Sequence, residues 1–209
     1  MTSYVPYQAV VVAYHLAVVV MLRAVMTRAG VGAWLATAAA GIMVLFGPGS
    51  QNIVWAFQVS FTGSLAWGLA HLLLADHDGP LGRRDVLGLV AGVLALASSG
   101  VGVTMVAVVG LAVLLRRGWL PALVHTVPLA VAYGVWATTS GAETSSTWGR
   151  PTPGVWASWV WNTLEATFLG IAHFGLLAVL MTVILVVGTL LLCGPWRSDD
   201  LASTRRRVA

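Results

Sequence analysis

Three amide side chains near the start of an apolar run have the types and spacing expected of a polar binding site. The stretch GPGSQNIVWAFQVS opens that run and contains three amides beside a tryptophan. At 100° per residue, one helical face would carry Gln51, Trp55, Gln58 and Thr62. Amides at a helix N-terminus also favour an anion such as a lipid phosphate. We therefore expect this face, with the neighbouring Asn52, to line a polar cavity.

The same residues have simpler roles that the sequence leaves open. Gln58 could form an interhelical hydrogen bond, and Trp55 could anchor the helix at a membrane interface. Ser50 or Asn52 would cap the helix N-terminus. On a largely opposite face, a ridge of small residues predicts close helix packing, and it comprises Ser60, Ser64 and Gly68.

Two charged residues in the last third of the chain complete the set of site candidates. Arg150 lies in the polar loop 140–154, and its guanidinium offers several donors to phosphate oxygens. Glu165 shares one helical face with Ser158, Asn162 and His173. An acid within a membrane is costly and usually faces a partner or water, which makes Glu165 a candidate for the same cavity. The simpler alternatives are a solvated loop charge for Arg150 and a place in the headgroup layer for Glu165.

Histidines give a weaker signal for chemistry. His15 lies in the first apolar run on one face with Tyr4 and Gln8, and we expect a neutral imidazole bonded to a backbone carbonyl. The sequence pattern assigns no role to His71, His77 or His125. The chain contains no HExxH, CxxC, Walker or GxSxG pattern, so we predict no catalytic residue, no metal site and no cofactor.

The composition is that of a membrane protein. Of 209 residues, 58% are hydrophobic and 9% are charged, whereas a soluble domain has roughly 25% charged residues. The pI near 10.0 comes from arginines in short clusters between apolar runs, which is typical of cytoplasmic membrane loops rather than of nucleic-acid binding. The single cysteine, Cys193, cannot form an internal disulfide. We therefore predict a polytopic membrane protein that binds no nucleic acid.

Six apolar runs are candidates for crossing the membrane, which takes about 20 residues per helix. They cover 5–22, 31–46, 53–75, 86–115, 119–138 and 166–193. The fourth is too long for one helix, and arginine pairs flank both of its ends. Because arginine-rich loops favour the cytoplasm, both ends are predicted on one side, which makes the run a hairpin of two short helices turning at Ser98-Ser99-Gly100. The predicted fold is an all-α transmembrane bundle of about seven membrane elements.

Arginine placement also predicts orientation and domain organisation. Ten arginines fall on one side in this topology, and only Arg150 falls on the other. The N-terminus is therefore predicted outside and the C-terminus in the cytoplasm of a bacterial plasma membrane. We expect one transmembrane domain over 1–196 and a disordered basic tail over 197–209. An external N-terminus with no preceding span also predicts that an upstream span and loop are missing from this chain.

Several segments together resemble the membrane portion of bacterial, particularly actinobacterial, GT-C-type glycosyltransferases. They are YVPYQAVVVAYHL, GPGSQNIVWAFQVSFTGSLAWGLAHLLLAD, RRDVLGLVAGVLALASSGVGVTMVAVVGLAVLLRR and VPLAVAYGVWA. The likeness covers residues 4–138 and includes the paired short helices. It implies a protein that handles a sugar on a polyprenyl-phosphate carrier at the external face and passes it to a cell-envelope acceptor.

The resemblance implies a carrier site but no catalytic residue in this chain. The general base of such enzymes is an Asp or Glu in the first external loop, which precedes the region matching Tyr4. Glu143 and Glu165 do not lie in the matching place. The resemblance therefore implies a truncated or non-catalytic scaffold that binds membrane lipid and a polyprenyl-phosphate sugar. Its lipid-carrier cavity would use Gln51, Asn52, Trp55, Gln58, Arg150 and Glu165.

Two other functions stay open at the level of the sequence. A small transporter or permease component would use the hairpin break at Ser98-Ser99-Gly100 as a binding site between discontinuous helices. An accessory structural subunit would use its small-residue ridges to associate with a larger envelope-synthesis protein.

Overall fold

The computed structural model describes residues 4–44, 55, 58–140 and 152–172, with a few positions between 176 and 187. The side chains at 164, 165, 168 and 170–172 are outside that description. The described residues fold into helices, which confirms the all-α class for this part of the chain. In chain order they are α1 (Val5–Arg28), α2 (Ala33–Val44), α3 (Val59–Ala75), α4 (Arg83–Ser98), α5 (Val101–Arg117), α6 (Trp119–Thr139) and α7 (Pro153–Ala172).

The chain divides into two compact units, Met1–Ser145 and Ser146–Ala209. The first contains α1–α6, and the second contains α7. The single transmembrane domain over 1–196 stays a prediction, and the tail 197–209 lies outside the described residues.

By length and composition, two of the described helices could each cross a membrane. α1 has 24 residues and α6 has 21, and their apolar windows have mean hydropathies of 2.2 and 1.4. At a rise of 1.5 Å per residue they are about 36 and 32 Å long, against a hydrocarbon core of about 30 Å. α2 and α3 are apolar but shorter. The number of membrane elements stays a prediction.

α1 is longer than the apolar run that predicts it. The run ends at residue 22, but the helix continues to Arg28. Arg23 Nε donates to Thr37 Oγ1 at 2.9 Å, and Arg28 Nη1 donates to the Leu73 carbonyl at 2.8 Å. The long stems of the two arginines allow the helix to extend past the apolar run while their charged groups stay hydrogen-bonded.

α4 and α5 form a hairpin rather than one long helix. α4 ends at Ser98, the backbone of Ser99 is extended, and the Ser99 hydroxyl accepts a hydrogen bond from the Val101 N–H at 3.2 Å. α5 begins at Val101, and its second residue lies against α4. A Cβ on Gly102 would be 2.5 Å from the backbone of Ala95. The predicted break between two short helices is confirmed.

The small-residue ridge of α3 packs against this hairpin. Ser64 is buried, and its Oγ donates to the Ala95 carbonyl at 2.8 Å. Gly68 faces α5, where an added Cβ would be 2.5 Å from Met105 Cγ. The predicted close packing is confirmed at Ser64 and Gly68, because both are buried and both contact the hairpin of α4 and α5.

Gly118 turns the chain between α5 and α6. Its φ of 93° lies in the left-handed region that residues other than glycine rarely adopt. It follows Arg117, the last residue of α5, and precedes Trp119, the first residue of α6. The turn therefore keeps the C-terminal end of α5 beside the N-terminal end of α6.

Candidate functional site

Asp85 is a buried carboxylate where the ends of several helices meet. It is the third residue of α4, and its side chain is 4% exposed. Its Oδ1 accepts hydrogen bonds from Arg117 Nη1 at 2.6 Å and from His125 Nε2 at 3.0 Å. Its Oδ2 accepts from the Gly82 N–H at 2.8 Å and lies 3.2 Å from His77 Nε2. One carboxylate thus joins α4, α5, α6 and the turn before α4.

Asp85 is ionised in this setting. It precedes the predicted span 86–115, and burial on its own would raise the pKa of its carboxyl group. Hydrogen bonds from Arg117, His125 and the Gly82 backbone, with the charge of Arg117, outweigh burial and hold that pKa well below its usual range. Asp85 therefore acts only as a hydrogen-bond acceptor at neutral pH.

Arg117 links the Asp85 carboxylate to the turn between α3 and α4. Its side chain is 6% exposed. Besides Asp85, its Nη1 donates to the Ala75 carbonyl at 2.8 Å, and its Nη2 donates to the Gly79 carbonyl at 3.1 Å. A planar guanidinium can serve all three acceptors at once, whereas a lysine ammonium on its flexible stem cannot reproduce this fork.

Arg117→Lys is therefore expected to lower the free energy of unfolding by about 1.5 kcal/mol, the contribution of one hydrogen bond to a charged group. Chemical unfolding of the purified protein in detergent measures the change. Arg116→Lys is the matched control, because the Arg116 side chain is 50% exposed and pairs with Asp76. The control should change the free energy by less than about 0.5 kcal/mol. Equal losses in both variants would contradict this role for the Arg117 guanidinium.

His71 and His125 extend the hydrogen-bonded network from Asp85 into the interior. We use the name Asp85 cluster for the five residues Asp85, His71, His77, Arg117 and His125. His71 and His125 are both fully buried, and His71 Nε2 lies 3.0 Å from His125 Nδ1. Since Asp85 only accepts, His125 Nε2 carries the hydrogen of their bond, and in the uncharged tautomer that this requires Nδ1 is the acceptor. His71 then donates from Nε2 and keeps a lone pair on Nδ1. That nitrogen is buried and has no hydrogen-bond partner among the described residues.

Two glycines of α4 make room for the imidazoles. A Cβ on Gly88 would lie 3.3 Å from both His125 Cε1 and His71 Cδ2. A Cβ on Gly92 would lie 2.9 Å from His71 Nδ1. The two glycines lie four residues apart on the buried face of α4 that begins with Asp85, and the segment GLVAG is a G-x-x-x-G motif that permits close helix approach. This motif is the sequence signal that could have indicated the cluster.

A second concave region, which we call the turn crevice, lies at the other end of α4. It is a cavity of about 690 Å³ beside the α4–α5 break, with mainly apolar walls. Ser98, Ser99 and Gly100 line it on the hairpin side. Tyr133 and Trp136 line it from α6, with their ring centroids 5.5 Å apart. The hairpin thus has a charged end at the Asp85 cluster and an apolar, aromatic end at its turn.

The structure describes only part of the predicted lipid-carrier cavity. Gln51, Asn52 and Arg150 lie outside the described residues. Glu165 lies within α7, but its side chain is outside the description. At these four positions the cavity stays a prediction.

Trp55 and Gln58 do not share a helical face. α3 begins at Val59, later than the predicted start at residue 53, and Gln58 is its N-terminal cap residue. The Gln58 N–H donates to the Trp55 carbonyl at 2.9 Å, so a tight turn precedes the helix and leaves Trp55 60% exposed. The predicted helical face is therefore wrong at Trp55. The predicted cap residues Ser50 and Asn52 lie outside the described residues, and the residue before the first turn of α3 is Gln58.

The predicted polar face of α7 is described in part. Ser158 Oγ donates to a carbonyl one turn earlier in the helix at 2.9 Å, so its hydroxyl is satisfied locally. Asn162 lies beside Trp159 in an open surface pocket on this helix. Trp156 and Trp159 contact edge to face, with ring centroids 5.7 Å apart. His173 lies outside the described residues.

His15 lacks the predicted carbonyl partner at one ring nitrogen. Its Nε2 is buried and has no hydrogen-bond partner within the described part of the chain. The adjacent Tyr14 hydroxyl instead accepts a hydrogen bond from Trp67 Nε1 at 3.3 Å. The expected carbonyl bond specified neither ring nitrogen, so it stays a prediction for Nδ1.

Comparisons with protein-family models, curated proteins and solved structures gave no match for this chain. Over the ranges that the structure describes, no three His, Cys, Asp or Glu side chains are arranged to hold a metal ion. The Asp85 cluster joins a carboxylate, a guanidinium and imidazoles through hydrogen bonds, so it pairs opposite charges and links α3, α4, α5 and α6. The sequence pattern assigns no role to its three histidines, yet the structure brings all three into one hydrogen-bonded chain.

Proposed function

We propose that this chain is a multi-pass protein of the bacterial plasma membrane whose helix bundle holds a polyprenyl-phosphate carrier lipid. The composition, two helices long enough to span, and arginine clusters between apolar runs support membrane insertion. The likeness of residues 4–138 to GT-C-type glycosyltransferases supports the carrier lipid as ligand. In the proposed topology, the N-terminus and the α4–α5 break lie outside, and the Asp85 cluster lies on the cytoplasmic side.

The turn crevice is the observation that carries this proposal. Its volume falls within the range of about 300–1,000 Å³ typical of small-molecule sites. Apolar walls favour an isoprenoid chain, since burying apolar surface contributes about 25 cal/mol per Å². Tyr133 and Trp136 add flat aromatic surface beside the helix break. We assign the phosphate to the polar residues predicted near the outer face, which are Gln51, Asn52, Gln58 and Arg150.

Binding of a fluorescent polyprenyl phosphate to the purified protein in detergent tests the proposal. Trp136→Ala is expected to weaken binding about tenfold, because burying a large apolar side chain contributes about 1.5–3 kcal/mol. Trp34→Ala is the matched control and should leave the affinity unchanged, since Trp34 is 87% exposed on α2 and does not line the crevice. An affinity that survives both Trp136→Ala and the double variant Gln58→Ala with Arg150→Ala would refute the proposal.

A small transporter or permease component is a second candidate, and one observation favours it. The crevice lies directly at the break between α4 and α5, and discontinuous helices form the solute sites of many transporters. Reconstitution into liposomes separates the candidates. Solute flux without affinity for polyprenyl phosphate would favour transport, whereas co-purification with a larger envelope-synthesis protein without either activity would favour an accessory subunit.

A further inference from the structure

We propose that Arg28 and Arg84 form a binding site for the phosphate group of an anionic phospholipid at the arginine-rich end of the bundle. At this end α1, α3 and α5 terminate, and α4 and α6 begin. The turn crevice lies at the other end of α4. The site therefore goes beyond the carrier-lipid proposal and shares with it only the insertion of the bundle into a membrane.

Both arginines are hydrogen-bonded to one backbone carbonyl. Leu73 lies in the last turn of α3, where carbonyls have no partner within the helix. Its oxygen accepts from Arg28 Nη1 at 2.8 Å and from Arg84 Nη2 at 3.4 Å. The two nitrogens are therefore no farther apart than the sum of these distances, about 6.2 Å. The end of α3 thus holds side chains of α1 and α4 next to each other.

The charges of these two guanidiniums are not neutralised by carboxylates in the described part of the chain. Asp76 and Asp85 each pair with an arginine at the end of α5. No described carboxylate forms an ion pair with Arg28 or Arg84. The C-terminus of α3 contributes only about half a negative charge. Since two cations this close repel each other, an anion that contacts both is favoured.

The arginine-rich end as a whole has an excess of positive charge. The structure describes the side chains of six arginines and three aspartates, and all nine lie at this end. Arg83 and Arg84 also begin α4, where the partial positive charge of a helix N-terminus disfavours cations. A bound anion offsets both the excess and this repulsion. Anionic lipids of the cytoplasmic leaflet attract basic segments of this kind, which makes them the source of the anion.

Each guanidinium has donors left for a ligand. An arginine has five N–H donors, and Leu73 uses one from each side chain. Both arginines are exposed, so their other N–H groups are accessible. A phosphate offers several acceptor oxygens and commonly takes two parallel hydrogen bonds from one arginine. Two arginines held next to each other can therefore bind one phosphate from two sides.

Apolar side chains near the two arginines favour a lipid over free phosphate. On α4, Leu87 follows Arg84 by three residues, which places it on the same side of the helix, and it is 56% exposed. On α1, Val20 lies about two turns before Arg28 and is 67% exposed. Exposed apolar surface of this kind favours contact with acyl chains. A phospholipid therefore contacts both the charged and the apolar groups, whereas inorganic phosphate contacts only the charged ones.

Native mass spectrometry of the full chain in detergent tests the selectivity of the site. Phosphatidylglycerol, phosphatidylcholine and inorganic phosphate are added in separate titrations. Phosphatidylglycerol should bind about tenfold more tightly than phosphatidylcholine, because both contain a phosphate but only phosphatidylglycerol has a net negative charge. Equal affinity for the two lipids would overturn the proposal. Inorganic phosphate that binds as tightly as phosphatidylglycerol would overturn the assignment to a lipid.

Arg28→Gln combined with Arg84→Gln tests the two residues. This double variant should lower the affinity for phosphatidylglycerol about tenfold, since an exposed ion pair corresponds to up to about fivefold in affinity and two are lost. Arg23→Gln combined with Arg83→Gln is the matched control, because it removes two exposed arginines from the same helices that do not donate to Leu73. The control should change the affinity less than about twofold. Equal losses would show that only overall charge attracts the lipid, which would overturn the site.

Arg28→Lys combined with Arg84→Lys keeps the proposal testable if the glutamine variant does not fold. Lysine retains the positive charge but lacks the planar fork that gives parallel hydrogen bonds to phosphate. The lysine variant should therefore bind phosphatidylglycerol about threefold more weakly than the wild type, and should still prefer it to phosphatidylcholine. Wild-type affinity in the lysine variant would contradict the hydrogen bonds assigned to the guanidiniums.

Trp136→Ala separates this site from the carrier-lipid site. Trp136 lines the turn crevice, so its loss should leave the affinity for phosphatidylglycerol unchanged. A tenfold loss of phosphatidylglycerol binding in Trp136→Ala would place this lipid in the crevice and overturn the proposal. Failure of the carrier-lipid proposal is read from a different titration, in which polyprenyl-phosphate affinity does not respond to Trp136→Ala.

Discussion

Asp85→Asn should lower the free energy of unfolding by about 3–5 kcal/mol, the cost of removing one partner of a buried ion pair. The variant leaves the Arg117 guanidinium, 6% exposed, without a counter-charge. It also replaces the carboxylate that accepts from His125 Nε2 and from the Gly82 N–H. Chemical unfolding of the purified protein in detergent measures the loss, because this one side chain links α4 to α5 and α6.

Asp76→Asn is the matched control for this experiment. Asp76 also pairs with an arginine at the end of α5, but that arginine, Arg116, is 50% exposed. Solvent screens such a pair, so its loss should cost no more than about 1 kcal/mol. Equal losses of unfolding free energy in Asp76→Asn and Asp85→Asn would show that burial does not determine how much the Asp85 cluster contributes to stability.

Gly102→Ala should destabilise the protein by about 3 kcal/mol, the upper end of the range for overpacking. The added Cβ would lie 2.5 Å from both the carbonyl carbon and the oxygen of Ala95. Those atoms belong to the backbone of α4 and cannot rotate away as a side chain could. The hairpin must therefore open near its turn, and both the unfolding free energy and the Tm should fall.

Gly134→Ala provides the comparison within α6. Nothing lies within 4 Å of a Cβ at that position, and the glycine is in the interior of a helix. Replacing such a glycine by alanine should stabilise the helix by about 0.5–1 kcal/mol. A loss of stability in Gly134→Ala as large as that in Gly102→Ala would mean that steric contact with Ala95 is not the cause.

Local features of the sequence predict much of the hairpin and its packing. The run 86–115 is too long for one span, and the arginine pairs that flank it predict both of its ends on the same side of the membrane. The break at Ser98-Ser99-Gly100 therefore follows from length and charge. The ridge on α3 follows from the spacing of its small residues, and the structure confirms it at Ser64 and Gly68.

The Asp85 cluster could not be predicted in the same way because its members meet only through tertiary packing. His71 and His125 are 54 residues apart, and His125 and Asp85 are 40 residues apart. No local pattern joins them. The G-x-x-x-G motif three residues after Asp85 gives a partial signal, since it shows which face of α4 receives a close neighbour. It does not show that the neighbours are imidazoles.

The start of α3 was not predictable from apolar character alone. Residues 53–59 continue the apolar run without an acidic or small polar cap residue, so periodicity extends the helix too far towards the N-terminus. The structure begins α3 at Val59 after a turn in which the Gln58 N–H bonds to the Trp55 carbonyl. A backbone hydrogen bond of this kind leaves no mark in the hydrophobic pattern, and the error moves Trp55 off the predicted face.

Labelling of single cysteines tests most directly whether the hairpin spans the membrane with its charged end in the cytoplasm. Cys193→Ser provides the background, and the two probes are Asp78→Cys in the exposed turn before α4 and Gly100→Cys at the exposed α4–α5 break. A membrane-impermeant thiol reagent is expected to reach Gly100→Cys in intact cells and Asp78→Cys only in inverted vesicles. Labelling of both from one side would contradict a spanning hairpin, and the reverse pattern would contradict its orientation.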